Sequence, residues 1–499
     1  MTVHVTFLLK IFLLGIGCAA GQPPLSLWPV TLLSLVGFFY LLRQNTLTLR
    51  LVFQSVSTFG FAYFLVTMHW IIEPFLVDIP AHGWLAPFAL ILMAAGLSIF
   101  WGLGAISGWC LIQKTHLGLA LGIGIVEVLR GFLFTGFPWG LIGYVWINTP
   151  IAQLSAFVGI YGLTILTVFA SALAVLPRTG HIRALSTTAL LGVIGLAWGG
   201  GLYRIAQSGL GYSSEIVRLA QPNASQELKW DPDHTDMFFE RLLAQTRAEP
   251  KPDLVIWPES ALPLPFEFAE DLLVQLSDTA QGTPVLLGAL RIQEGRYFNS
   301  IVYLNSKGEA TSVYDKHHLV PFGEYLPFEA IMGRIGLSAL VEPAGAGFAT
   351  GEGPLVVEID KLGKVLPLIC YEAVFPQDVS SAPSRADVMV QLTNDAWFGN
   401  FSGPQQHLAK AQMRSVEQGV SLLRVANTGI TAVIDPLGRV NQFLPLNETG
   451  YIDVLVAKPL HPTPYSRFGL WNVVIMGVIL CIFCIFNDLF LRRVDAAKE

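Results

Sequence analysis

A thiol, a carboxylate and an ammonium each stand at the end of a short apolar run in this chain, and together they could carry an acyl group. The run Lys364, Val365, Leu366, Pro367, Leu368, Ile369 ends on Cys370 and then turns polar at Tyr371 and Glu372. Leu254, Val255, Ile256, Trp257 and Pro258 lead in the same way to Glu259 and Ser260, and Ser312, Val313, Tyr314 and Asp315 lead to Lys316. The thiolate is the competent nucleophile and a free cysteine has a pKa of about 8.5, so a partly desolvated Glu259 would serve as the general base that removes the thiol proton. Lys316, remaining cationic, would stabilise the thiolate and the oxyanion of a tetrahedral intermediate. Taken singly, each residue has a plainer reading. A free cysteine behaves as a small buried hydrophobe, and a Glu or Lys at a sheet edge commonly forms an ion pair.

The elements that must position these groups are buried strands, and such runs build one site if the strands are neighbours in a sheet. Around them the chain has membrane composition: 499 residues, 53% apolar and 13% charged, with a mean hydropathy of +0.55. Spanning a bilayer takes about 20 mostly apolar residues in a helix, because every backbone amide must be bonded internally there. Eight stretches qualify, near Val5 to Ala20, Leu25 to Leu42, Leu51 to Ile72, Leu85 to Cys110, Leu117 to Phe134, Ile151 to Leu176, Ala184 to Tyr203 and Phe468 to Leu491. The first is read as a membrane helix and not a signal peptide, since it lacks a basic start and a small-residue cleavage pattern before Cys18.

The chain therefore divides into a seven-helix membrane bundle over 1–205, a globular α/β domain over 206–464 and a last membrane helix with a tail over 465–499. Short cytoplasmic loops collect Lys and Arg. Arg43 and Arg50, Lys114, Arg178 and Arg183, and Arg492, Arg493 and Lys498 mark that side, whereas the loops around Glu73 and Asp78 and from Pro138 to Pro150 have no Lys or Arg. Both termini are thus expected in the cytoplasm and the globular domain outside, in the periplasm. Of the five cysteines, Cys18, Cys110, Cys481 and Cys484 fall in apolar stretches, so Cys370 has no disulfide partner in the exported domain. A net charge of −6 without a basic run interleaved with aromatics excludes a nucleic-acid partner.

Trp257-Pro258-Glu259-Ser260, Tyr314-Asp315-Lys316 and Ile369-Cys370-Tyr371-Glu372 resemble, in this order, the Glu-Lys-Cys motifs of the nitrilase superfamily. The stretch from Val320 to Pro327, Asn394 to Gly399, Gln406-His407, Arg424 to Gly429, and Gly136 to Trp139 narrow the resemblance to the membrane-embedded apolipoprotein N-acyltransferase branch, over essentially the whole chain. The resemblance implies an α-β-β-α sandwich on a membrane base. It implies ping-pong transfer of an acyl chain from a phosphatidylethanolamine-type phospholipid to the free amine of a diacylglyceryl-cysteine lipoprotein in the bacterial inner membrane, by a chain acting as a monomer. By the same matching, Glu259 is the base, Lys316 the charge stabiliser and Cys370 the nucleophile. Glu324 supports Lys316 and the base, Tyr371 and Glu372 shape the pocket beside the thiol, and Trp230 contacts substrate.

No metal site is expected: His317 and His318 are adjacent and would point apart on a strand, and His407 belongs to a helix from Pro404 to Gln418. No Gly-rich phosphate loop occurs, so no cofactor is expected. The apolar segment 328–348 is read as either a lipid-dipping arm or a packed surface helix. Glu127 and Arg130 share one helix face, where a structural pair is the leading interpretation and a lipid head-group contact the second. Two rivals stay open, a membrane-tethered amidase that gives the acyl group to water and a non-catalytic membrane sensor.

Overall fold

The computed structural model describes residues 2–175, 180–229, 231, 233–327 and 347–496. Trp230 and nearly all of the segment 328–348 lie outside the described residues. Two compact units result: one comprises 1–209, 401–409 and 462–499, the other 210–400 and 410–461.

The first unit is helical. A helix occupies each of the eight apolar stretches, from Thr2–Ala19 through Leu49–Thr67 and Ala86–Leu111 to Leu470–Ala496. Among the described residues four are long and apolar enough to cross a membrane, Leu49–Thr67, Ile79–Leu111, Pro150–Leu173 and Leu470–Asn487. The stretch expected to run to Phe134 is helical only over His116–Arg130. Arg130 there turns its guanidinium onto the carbonyls of Phe137 and Trp139, which draws the following chain back across the helix end. Glu127 and Arg130 form the expected structural pair, 2.7 Å apart and buried, with Trp101 Nε1 donating to Glu127 at 2.6 Å. Helices Ala86–Leu111 and His116–Arg130 meet backbone to backbone through glycines four residues apart: a Cβ on Gly108 would lie 2.1 Å from the Gly118 oxygen, and one on Gly122 2.1 Å from the Gly104 oxygen. Small residues at this spacing let helices gain contacts where lipid supplies no hydrophobic drive. Two of the sequence motifs also meet in this unit, Trp139 Nε1 donating to Gln406 Oε1 at 2.6 Å.

The second unit holds two six-stranded sheets. Its strands are β1 (Tyr212–Gln221), β2 (Leu254–Ile256), β3 (Val285–Gln293), β4 (Arg296–Leu304), β5 (Ala310–Asp315), β6 (Val357–Ile359), β7 (Gly363–Ile369), β8 (Val388–Thr393), β9 (Ser421–Ala426), β10 (Thr431–Ile434), β11 (Val440–Leu444) and β12 (Gly450–Ala457). One sheet runs β12-β1-β2-β3-β4-β5 and the other β11-β10-β9-β8-β7-β6. The central trios β1-β2-β3 and β7-β8-β9 are parallel, which explains why their sequences are apolar runs and not alternations: both faces are covered. Leu254 and Ile256 of β2, Val365 and Ile369 of β7 and Val388, Val390 and Leu392 of β8 enter one inter-sheet core. The intervening Val255 and Trp257 turn to the other face, against Phe239, Leu242 and Leu243 of helix Thr235–Thr246 and Leu276 of helix Glu270–Ala280. Each fully buried aliphatic side chain contributes about 1.5 to 3 kcal/mol, so the two cores set the sheet spacing on which the site depends. Helix Gly403–Gln418 buries Ala411, Met413 and Val416, and its Gln412 donates to the Gly438 carbonyl at 2.9 Å in the β10–β11 turn.

Candidate active site

The three ionisable groups sit at the ends of β2, β5 and β7, but these strands are not neighbours in one sheet. β3 and β4 separate β2 from β5, and β7 belongs to the opposite sheet. The condition set from the sequence is thus replaced by another: one layer supplies the base and the ammonium, the facing layer supplies the thiol, and side chains leaving the strand ends close the gap. Glu259, Lys316 and Cys370 are 7%, 1% and 6% exposed.

Cys370 opens a 3-10 turn immediately after β7 with φ of 48°. A non-glycine residue in the left-handed region costs on the order of 1 to 3 kcal/mol, and such strain persists where neighbours over-determine it. Here they do. Gln391 of β8 donates to the Cys370 carbonyl at 2.9 Å, Arg424 of β9 holds Gln391 at 2.7 Å, and Arg424 also pairs with Asp395. Thr393 hydrogen-bonds the thiol side chain and donates to Asp395 at 3.1 Å. Burial, then the Glu259 charge, push the thiol well above its ordinary pKa, against the opposing pull of Lys316 and Thr393. The resting group is a neutral thiol.

Glu259 lies just past β2, followed by Ser260 at φ 48°. Its turn presses on β3 so closely that a Cβ on Gly288 would stand 2.6 Å from the Glu259 Cα, and only glycine fits there. Oε1 accepts from Asn299 Nδ2 at 2.7 Å, whereas Oε2 is buried without a hydrogen-bond partner among the described residues. Burial raises the Glu259 pKa and the Glu324 carboxylate adds to the rise, while Lys316, Asn299 and Lys229 oppose it. A carboxylate with a raised pKa and one open oxygen is suited to accept a thiol proton.

Lys316 donates to Glu324 Oε1 at 2.7 Å, and Glu324 Oε2 accepts from the Val320 amide at 2.7 Å. Burial works against the ammonium, but Glu324, Glu259 and Cys370 outweigh it, so the Lys316 pKa stands above its ordinary value. The Asn299 side chain spans both carboxylates, reaching Glu324 Oε1 at 3.3 Å as well as Glu259, and its main-chain carbonyl accepts from the Lys316 main-chain amide at 2.8 Å.

Glu372 is buried and accepts from the Ile369 amide at 2.7 Å, while Tyr371 packs edge-on to Phe375 with centroids 4.8 Å apart. His317 and His318 do not point apart. β5 ends at Asp315, so the two are no longer in strand geometry, and both rings face Asp378. Donor atoms of His317, His318 and Asp378 lie within 4.8 Å of one another, a spacing a metal ion also uses. The same groups also contact each other and Glu372, at 2.7 Å for His318 to Asp378 and 2.6 Å for His317 to Glu372. Sequence reading gave no role to Asn299, Gln391, Thr393 or Arg424. The signal was present: Asn299 and Gln391 are amides inside strands whose other central residues are mostly apolar.

A buried thiol on a strained turn, facing a carboxylate and an ammonium across a two-sheet sandwich, fits a domain of the carbon-nitrogen hydrolase class, and residues 216–460 match the family described as carbon-nitrogen hydrolase. Residues 14–173 match the apolipoprotein N-acyltransferase N-terminal domain. A relative from Brucella suis named apolipoprotein N-acyltransferase is 34% identical over 481 residues, covering 91% of this chain and 90% of its own. One of the same name from Rhizobium rhizogenes is 36% identical over 89% of this chain and 87% of its own, and one from Caulobacter vibrioides 36% over 93% and 91%. Among solved structures, an amidase from Nesterenkonia sp. matches at 20% identity and a TM-score of 0.38, covering 52% of this chain and 95% of its own. The chain belongs to the apolipoprotein N-acyltransferase family.

Proposed function

We propose that this chain is an apolipoprotein N-acyltransferase that moves a fatty acyl group from a phosphatidylethanolamine-type phospholipid, through a thioester on Cys370, to the amine of a lipoprotein's N-terminal diacylglyceryl-cysteine. The observation that carries the chemistry is the Oε2 of Glu259, which has no hydrogen-bond partner among the described residues, in a buried site shared with the Cys370 thiol and the Lys316 ammonium. Glu259 takes the thiol proton as sulfur attacks the ester carbonyl, and the oxyanion forms beside Lys316. The C–O bond breaks, the lysophospholipid leaves with the proton from Glu259, and the acyl group remains on sulfur. The amine then attacks the thioester and gives its proton to Glu259. The C–S bond breaks, and the departing sulfur recovers that proton. No cofactor enters either half.

The test is a two-stage labelling experiment. Phospholipid carrying a labelled acyl chain is expected to give a hydroxylamine-sensitive label on the protein that persists until a diacylglyceryl-cysteine peptide is added and then moves to its amine. Rapid release of free fatty acid, indifferent to the peptide, would favour the amidase-like hydrolase instead.

We place all eight apolar helices across the inner membrane, with both termini cytoplasmic, the domain 206–464 in the periplasm and the chain working as a monomer. Trp230 would meet substrate and the segment 328–348 would shelter the thioester. The loop charges support this orientation. Reporters fused after Arg43 and Lys114 are expected to read as cytoplasmic, and those at Asn148 and within the globular domain as periplasmic; cytoplasmic labelling of that domain would reverse the topology.

A further inference from the structure

We propose that His317 is a positioning residue for acyl transfer, held as an imidazolium between Glu372 and Asp378 so that Glu372 can lock the loop carrying Lys316 to the turn carrying Cys370. The inference rests on the reading of Cys370 and Lys316 given above.

Glu372 is fully buried, yet its two oxygens collect donors from both segments of the site. Oε2 accepts from the amide of Ile369, the residue before Cys370, at 2.7 Å. Oε1 accepts from the amide of His317, the residue after Lys316, at 2.8 Å, from that of His318 at 3.3 Å and from the Tyr314 hydroxyl at 2.9 Å. One carboxylate thereby ties the end of β5 in one sheet to the end of β7 in the other. Such a group is stable only if its charge is compensated, since a buried unpaired carboxylate is heavily penalised.

The Lys316 ammonium does not serve this purpose, because it is engaged by Glu324 at 2.7 Å. The compensating group is the His317 ring, whose Nδ1 lies 2.6 Å from Glu372 Oε1 and whose Nε2 lies 3.5 Å from Asp378 Oδ2. The titratable groups around the ring are Tyr314 and His318 from its own segment, Glu372 from the turn after β7, and Asp378 from the short helix Pro376–Ser380. Tyr314 is kept a neutral phenol by burial and by Glu372. Asp378 is held below the usual carboxylate range, burial opposing and the two histidines prevailing. Nδ1 is in direct contact with Glu372, while Nε2 makes no hydrogen bond among the described residues and meets Asp378, itself bonded to His318, only as a charge at 3.5 Å; the two carboxylates together favour the imidazolium. Burial alone would lower its pKa, but Asp378 and Glu372 overcome it and raise the value from 6.5 to about 9.

The sign of the pH dependence follows. A histidine whose folded pKa is raised stabilises the native arrangement fully below its unfolded value, and that contribution is lost as pH rises through the folded value. The clamp is therefore intact at neutral pH and loosens through about pH 9. His317→Gln removes the charge at all pH values. It is expected to slow acylation of Cys370 about 10- to 100-fold, the scale on which a misplacement of about 1 Å acts, with little change in KM. Because the histidine acts through Glu372, adding His317→Gln to Glu372→Gln should cost little more than Glu372→Gln alone.

Two measurements on the full-length protein in detergent test this apart from lipid chemistry. The first is the titration of the His317 ring resonance, assigned by its loss in His317→Gln and read on isotope-labelled wild type. The second is the rate at which iodoacetamide alkylates Cys370 in each variant. A ring that titrates near 9, with slower alkylation in His317→Gln and no further loss in the double variant, supports the clamp even if no acyl transfer to lipoprotein is found. A ring titrating near the ordinary 6.5, or His317→Gln alkylating at the wild-type rate with an unchanged alkaline limb, overturns it. If His317→Gln fails to fold, His317→Asn supplies the assignment and the wild-type titration then decides the question.

Discussion

Cys370→Ala is expected to take up no acyl label from phospholipid and to transfer none, while inserting and folding as the wild type does. In the proposed mechanism the thiol makes the covalent bond on which both half-reactions depend, and alanine at a position 6% exposed removes one sulfur from the inter-sheet core. Cys370→Ser should also be silent. A hydroxyl is far less acidic than a thiol, and Glu259 has a raised pKa by virtue of burial first, suited to a thiol proton and not to an alcohol. Mass spectrometry of the purified variants after incubation with labelled phospholipid reads the result directly. An acyl adduct on Cys370→Ala would move the nucleophile elsewhere in the chain.

Glu259→Gln and Lys316→Ala are expected to follow in size. Losing the general base removes about 10² to 10⁴ in rate, and losing a stabiliser of the oxyanion about 10² to 10³. Lys316→Ala leaves Glu324 and Glu259 without their common cation, so its loss should also show in thermal stability. The two variants differ in pH profile. In wild type the acylation rate should rise with pH through the Glu259 pKa, which burial and Glu324 hold above the ordinary carboxylate range. The base works only when ionised, so this acid limb belongs to Glu259 and should vanish in Glu259→Gln but persist, at lower amplitude, in Lys316→Ala. Single-turnover acylation measured across the acid range separates them. If Glu259→Gln retained both its rate and its acid limb, Glu259 would be an ion-pair residue and not the base.

Much of this protein was legible from local signals. Runs such as Leu254 to Ile256 and Val365 to Ile369 declare buried strands, because a strand covered on both faces needs apolar side chains at every position. The polar residue that ends each run marks where the chain leaves the core, which is why Glu259, Lys316 and Cys370 were all identifiable as site candidates. The apolar stretches likewise foretold helices at their places, and the spacing of Glu127 and Arg130 foretold their pairing. These are properties of a few consecutive residues, set by period, turn and burial.

What the tertiary structure decided is how distant segments meet. Nothing local says that β7 faces the sheet of β2 and β5, since strand order and sheet pairing rest on contacts between residues far apart in the chain, whose register depends on the whole packed core. The site therefore forms without the strand adjacency named as a condition, and the divergence expected of His317 and His318 holds for a strand but not for a chain that has just left one. The same reason hid Asn299, Gln391 and Glu372 as organisers. Their side chains act across sheets or between strands, so their partners exist only once the two sheets have closed on each other.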